Sequence, residues 1–568
     1  MSQITDDILV TVARRRHLYE GGISMKVVSV RRRALRARTV AGLIVPVGLV
    51  SSLLAGLTTT PAAAATGSMV VDLAGGSGTV DPAQACGLYD VDFTGQFYAR
   101  LTQYGFSKGP AGTTQFDPAV IQPWLAKSWT VSPNGRTYTF HLVPGAEFAN
   151  GDPLNASAVV YSLERSINTG GCGQYFILDG ITSPQLVKTI TAPNSTTVVI
   201  NLSQADGNFP QDLAQPGAGI VDPKIVQANG GVVPNKVNTW MQSHIAGGSG
   251  PYMLENYVPG ESATLVANPH YFSAAPLEHQ ILVKFISDDA TLLLRARSGE
   301  ADVTLGLSPQ SVHSLAGSGS TKIVVNPTTT SLQIMIPSNH YPMSKVDFRA
   351  ALSYALPYQQ ILQKLGYGYG QLFYGPYPPL LSPAYDKAME QPRGFDVTKA
   401  KDLMKASGVK LPVKVSLIID GSVPLEQQLA TVVQSYWSQI GVDVTVKTLT
   451  DAEFETTINT NPKPYQMGIT EDGPGVIDAG YYLGYDMLCT SAFNAAGICV
   501  PGADSVYYAA RSALSESQRV ADYHKIIPLW TANSPKIPVY AIDSLTVLSP
   551  RVKTYSYSLE TEMWRWGL

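Results

Sequence analysis

Charge is scarce in this chain: Asp, Glu, Lys and Arg together make up 15% of 568 residues, and the formal net charge is −3. Gripping nucleic acid takes a basic face that neutralises phosphates, so that partner class is excluded. The eight histidines are scattered, and none stands at ligand spacing near a cysteine pair, so no metal site is expected. No G-x-S-x-G, H-E-x-x-H, Walker loop or paired-carboxylate motif occurs. The familiar hydrolase, zinc-protease and nucleotidase readings lose their support, and neither catalysis nor a cofactor is expected. Cysteine is limited to Cys86, Cys172, Cys489 and Cys499. The short interval between Cys489 and Cys499 makes them the first expected disulfide, which leaves Cys86 with Cys172 to close a long loop.

What is present points outward from the cytoplasm. A chain of 568 residues is too long for one ordinary core and should fold as two or more lobes. Arg31-Arg32-Arg33 with Arg36 and Arg38, the apolar run Val40 to Leu57, and the small residues Pro61 to Ala65 read as a secretory signal peptide over 1–65. Met25-Lys26 would be a more ordinary start for it. No cysteine directly follows the apolar run, so no lipid-attachment site is seen. The 29 tyrosines, with plentiful Gly and Pro, suit an exported, loop-rich protein that recognises small ligands of mixed polarity.

Residues 125–165, LAKSWTVSPNGRTYTFHLVPGAEFANGDPLNASAVVYSLER, organise the rest. Ser132-Pro133-Asn134-Gly135 has turn chemistry, so the flanking runs should pair as a hairpin. Tyr138, Phe140 and Leu142 alternate with polar residues as a half-buried strand does. Asn155 can cap a helix whose Val160, Leu163 and Ile167 recur at helical spacing. This stretch resembles the signature region of family 5 of the bacterial extracytoplasmic solute-binding proteins, the oligopeptide, dipeptide and nickel binders that feed ABC importers. Thr79-Val80-Asp81-Pro82, Gly248 to Leu254 and Ser298 to Asp302 resemble further motifs of that family.

The resemblance implies an α/β, two-lobed, periplasmic-binding-protein-like (type II) fold with a hinge and an α+β subdomain inserted in the first lobe. The expected divisions are lobe I at 66–98, 203–283 and 506–568, the inserted subdomain at 99–202, and lobe II at 284–505. In lobe II, Val413 to Ile419, Leu425 to Ile440 and Val442 to Val446 read as strand, amphipathic helix and strand, a parallel unit. Helices are also expected at Phe93 to Leu101 and Ser515 to Ile527, with a break at Leu356-Pro357.

In peptide-binding members, an acidic residue in a loop resembling Gly468 to Gly475 binds the ligand's α-amino group, and Asp472 is the matching carboxylate here. An ammonium leaving water needs a fixed acceptor to offset its desolvation. The backbone of Cys86, Gly87 and Leu88 is expected to pair with an extended ligand, while Tyr252 and Asp478 are further candidates to line the site. The implied protein is a monomeric, secreted or envelope-associated receptor. Its partners are a peptide and an ABC permease with its ATPase, and it meets the membrane only through the permease. The alternatives are the same scaffold binding a nickel chelate, an opine or an oligosaccharide, or a non-transport receptor or adhesion module.

Overall fold

The computed structural model of the chain describes residues 68–568 apart from 180–184, 382, 390–393, 459, 461–462, 474–475, 490–493, 495–497 and 559–560, and apart from the side chains of 472 and 484–486. The expected leader lies outside the described residues. Among them, no helix is long and apolar enough to cross a membrane.

The strands before the first long crossing are β1 (Met69–Leu73), β2 (Thr102–Lys108), β3 (Thr114–Pro123), β4 (Ala126–Val131), β5 (Thr137–Leu142), β6 (Val187–Asn194) and β7 (Thr197–Leu202). There follow β8 (Tyr252–Val258), β9 (Ser262–Ala267), β10 (Gln280–Phe285), β11 (Val303–Leu305) and the 14-residue β12 (Lys322–Met335). The last are β13 (Val413–Asp420), β14 (Val442–Leu449), β15 (Met467–Asp472), the 13-residue β16 (Lys536–Leu548) and β17 (Ser556–Tyr557). A ten-stranded sheet in the order β14-β13-β15-β12-β16-β11-β1-β10-β9-β8 forms the frame.

β12 and β16 are the strands that both halves of this sheet share. They pair antiparallel from Lys322 opposite Leu548 to Met335 opposite Lys536. At one end Val324 and Leu548 enter the core built on β1, β9 and β10 with Phe93, Phe97 and Trp566. At the other, Leu332, Ile334, Ile537 and Val539 enter a second core with Leu417, Leu429 and Trp437. The second half is the expected parallel unit: β13 pairs with β14 in register from Val413–Val442 to Asp420–Leu449. The helix Pro424–Trp437 crosses between them, and Gly441 at φ +81° supplies the left-handed turn before β14.

The signature stretch builds a third core on the four-stranded sheet β4-β5-β7-β6. Gly135, at φ +66°, turns the β4–β5 hairpin as Asn-Gly chemistry dictates. Asn155 Oδ1 accepts the amides of Ser157 and Ala158 and caps the helix Ala156–Asn168. That helix carries Arg165, whose guanidinium forks onto Asp81 (Nη1–Oδ1 2.9 Å, Nη2–Oδ2 2.5 Å) with both side chains essentially buried. Two of the motifs quoted above are therefore one ion pair.

Three expectations need correction. The helix expected at Phe93 to Leu101 runs Leu88–Thr94. Phe97, Tyr98, Ala99 and Leu101 are apolar because they are a buried connecting segment, tied by backbone bonds from Gly250 to Phe97, Tyr252 to Gln96 and Ile220 to Ala99. The helix expected at Ser515 to Ile527 is two, Glu516–His524 and Ile526–Asn533. Pro528 lacks the amide that would carry one helix through the junction. The division points expected after 283 and 505 fall inside β10 and the helix Ala503–Ser512. The break at Leu356-Pro357 is present, between the helices Val346–Tyr354 and Tyr358–Lys364.

Removing one member of a buried ion pair strands the other charge. Arg165→Leu should lower the unfolding free energy by about 3–5 kcal/mol in urea titration. Asp81→Asn/Arg165→Leu should recover a large part of that loss, because Asn can still accept the Ala83 amide that Asp81 Oδ1 takes at 3.0 Å.

Candidate functional site

Strand directions alone locate a cleft. β1 is parallel to β11, and β11 pairs with β16 so that its carboxyl end, Leu305, lies opposite Thr546. β15 runs the other way and ends at Asp472 opposite Ser331 of β12. Both sets of parallel strands therefore point their carboxyl ends, from opposite sides, at the stretch where β12 and β16 pass from one core to the other. Ligands of open α/β sheets bind outside carboxyl ends of this kind. At that crossing the β12–β16 ladder slips register between Pro327 and Ser331 and again between Leu332 and Gln333.

The first rim is the chain after β1. Its loop is held from within: the Asp90 carboxylate accepts the amides of Gly78 (2.7 Å) and Gly87 (3.3 Å) and the Ser77 hydroxyl (3.1 Å). Asp81 holds the next turn through Arg165. Gly87 is the N-cap of the helix Leu88–Thr94, its carbonyl accepting from Asp90 and Val91. The added-strand pairing expected at Cys86, Gly87 and Leu88 thus meets a helix start, where the Gly87 amide and carbonyl are already committed. Leu88 is 60% exposed and leaves an apolar face on this rim. Cys86 is bridged to Cys172 (Cα–Cα 5.4 Å), and Cys489 to Cys499 (4.5 Å).

The second rim is acidic. Glu426, in the first turn of the Pro424–Trp437 helix, is buried and accepts the Asp420 amide at 2.8 Å. Burial, then the neighbouring carboxylates Glu471, Asp420 and Glu455, push its carboxyl up to about 8. Glu471 stands opposite Leu332 and is exposed, yet desolvation by the surrounding protein raises its carboxyl too. In the crossing, burial pushes Asp543 of β16 up to about 6 against the lowering effect of the Gly370 amide. Such a rim gathers carboxyl groups whose burial favours their protonated forms.

Of the expected residues, Asp472 is the last residue of β15 at the crossing, and its side chain is among those not described. Pro474 and Gly475 beyond it lie outside the described residues. Tyr252 belongs to the first core: it is fully buried and donates its hydroxyl to the Glu278 carbonyl at 2.8 Å, so it does not line the cleft. Asp478 is buried as well, capping the helix Ala479–Asp486 through the Gly480 amide and accepting the Tyr523 hydroxyl at 2.8 Å. It borders a cavity of about 60 Å³ with Gln211, Arg519 and Tyr523, room for water and too small for a peptide. Tyr482 donates to the Thr329 carbonyl, and Tyr481 packs against Tyr175. Sequence reasoning missed Glu426 and Asp543. The available signal was an acid inside an otherwise apolar strand, IPVYAIDSL, and an acid in the first turn of a crossover helix.

Comparison with known proteins agrees with this geometry. Residues 120–494 match the middle region of the bacterial extracellular solute-binding proteins, family 5. The probable D,D-dipeptide-binding periplasmic protein DdpA of Escherichia coli K12 is 28% identical over 418 residues, 73% of this chain and 77% of that one. Among solved structures, the periplasmic binding protein DppA of Helicobacter pylori in complex with the peptide STSA superposes with a TM-score of 0.74 at 19% identity, covering 88% of this chain and 98% of that one. NikA of Brucella suis in complex with Fe(III)-EDTA gives 0.75 at 18% identity, with 88% and 99% covered. These likenesses establish the two-lobed α/β fold of periplasmic binding proteins.

The second rim carries a pH signature. Because the Glu426 carboxyl rises from its ordinary value near 4.5 to about 8 on folding, the folded state holds a proton there that the unfolded state releases. That contribution is complete below about 4.5 and is lost as pH rises through about 8. Stability should therefore fall with pH across this window, and Glu426→Gln should remove about 1.4 kcal/mol per pH unit of slope in urea titrations. An unchanged slope would show that Glu426 keeps an ordinary carboxyl.

Proposed function

The chain belongs to family 5 of the bacterial extracellular solute-binding proteins, and from that membership we propose that it captures dipeptides or oligopeptides between its two rims and presents them to an ABC permease outside the cytoplasm. The observation that carries the reading is the end of β15, which delivers Asp472 to the crossing opposite Ser331, on the acidic rim. A peptide's ammonium entering a closing cleft loses its water, and a fixed carboxylate offsets that cost with a charge-assisted bond of about 1.5–3 kcal/mol. The similarity to a D,D-dipeptide-binding protein supports the same ligand class. Closure follows from differential binding: the ligand adds contacts to both rims only when they approach, and so shifts the population toward the closed form that the permease reads.

Mass spectrometry of ligands carried by the exported protein tests this. Peptides are expected, whereas a uniform metal chelate, opine or sugar would assign the chain to another branch of the family. Asp472→Ala should weaken peptide binding by about tenfold or more, the loss of one charge-assisted pair, with the urea midpoint little changed. Unaltered affinity would remove Asp472 from the site.

A further inference from the structure

The helix Cys172–Leu178 is fastened both to the first rim and to the chain that follows β15. At its start, Cys172 is bridged to Cys86 on the first rim, and the Gly173 amide donates to the Ala83 carbonyl at 3.2 Å. Contact is so close that a Cβ at Gly171 would collide with that carbonyl. Along its face, Phe176 packs with Val476 and with Tyr481 of the helix Ala479–Asp486, both beyond the end of β15, and Tyr175 meets the Tyr481 ring edge-on at 5.8 Å. At its end, Asp179, in the left-handed region at φ 44°, is ion-paired to Arg511 and accepts from Tyr507 at 3.4 Å. Arg511 is completely buried and also pairs with Asp206 and, at 3.5 Å, with Asp212.

We propose that this helix is a clasp: the Cys86–Cys172 bridge positions the first rim against the chain leaving β15 and thereby sets how long the cleft holds its ligand. The bridge's second partner, Cys172, belongs to the helix that grips Tyr481, so a strain or slack at Cys86 reaches residues 476–481 through packed side chains. Nothing comparable links Cys489–Cys499 to the first rim among the described residues. The effect on ligand rests on the peptide reading above; the mechanical coupling does not.

The test separates the two. In ligand-free protein, Cys86→Ser/Cys172→Ser should speed hydrogen exchange of amides 476–483 by about tenfold, reaching beyond the Phe176–Val476–Tyr481 cluster on which Cys172 itself packs. Cys489→Ser/Cys499→Ser should leave amides 83–91 unchanged. Asp179→Asn, which keeps both bridges, should speed exchange at 83–91 from the other side. With alanyl-alanine as the probe, the Cys86/Cys172 double variant should release it about tenfold faster at an unchanged association rate. Unchanged exchange at 476–483 in the folded double variant, or at 83–91 in Asp179→Asn, overturns the clasp. Coupled exchange in a wild-type protein that does not bind the dipeptide upholds the clasp and counts against the peptide reading alone.

Discussion

Everything functional in this molecule depends on two strands being long enough to serve two cores. β12 and β16 pair on both sides of their middle, over Lys322 to Pro327 and again over Ser331 to Met335, so neither half of the sheet can slide past the other. Their ladder is irregular only near its middle, at Pro327 to Gln333. A bulge removes ladder bonds and lets the strand bend, and Pro327 has no amide to contribute there. Bending is thus confined to the stretch where the carboxyl ends of both sets of parallel strands converge. The same two strands hold the halves together and carry the irregular stretch between them.

Buried charge fixes how the loops sit on that frame. Asp81 and Arg165 are 84 residues apart, and neither is tolerable in the interior without the other. Their pairing forces the loop after β1 onto the helix of the inserted subdomain. Arg511 does the same at the far side, drawing Asp179, Asp206 and Asp212 around one guanidinium. Hydrophobic burial would accept several registers of these loops, whereas a forked guanidinium accepts few.

Local chemistry was legible in the sequence wherever it was self-contained. The Asn134-Gly135 turn, the Asn155 cap and the strand–helix–strand unit from Val413 to Leu449 each carry their cause within a few residues, and each stands as read. Failures came where a pattern had a distant cause. Phe97 to Leu101 is apolar because the chain from Ile220 to Tyr252 covers it, not because it is helical. Tyr252 sits beside flexible glycines, as a ligand-binding tyrosine can, yet its hydroxyl is spent on Glu278. Glu426 and Asp543 gain their character from strands that only the fold brings near. Nor could the motifs reveal that Asp81 and Arg165 are partners, since the sequence shows residue types and spacings rather than contacts.

On the proposed reading, the acidic rim ties closure to recognition. Glu426 and Glu471 are raised because they share a desolvated edge, and in Glu426 each neighbouring carboxylate adds to the effect. Burial already holds these carboxyls toward their protonated forms, and further exclusion of water would hold them there more firmly. The ammonium of the proposed peptide ligand would shift the balance back, stabilising the ionised carboxylates most where the surroundings are driest. On the proposed peptide reading, closure over an ammonium would be favoured over closure of the empty cleft by the ionisation that the ammonium restores. On that reading, discrimination resides in the transition between open and closed forms rather than in fit alone.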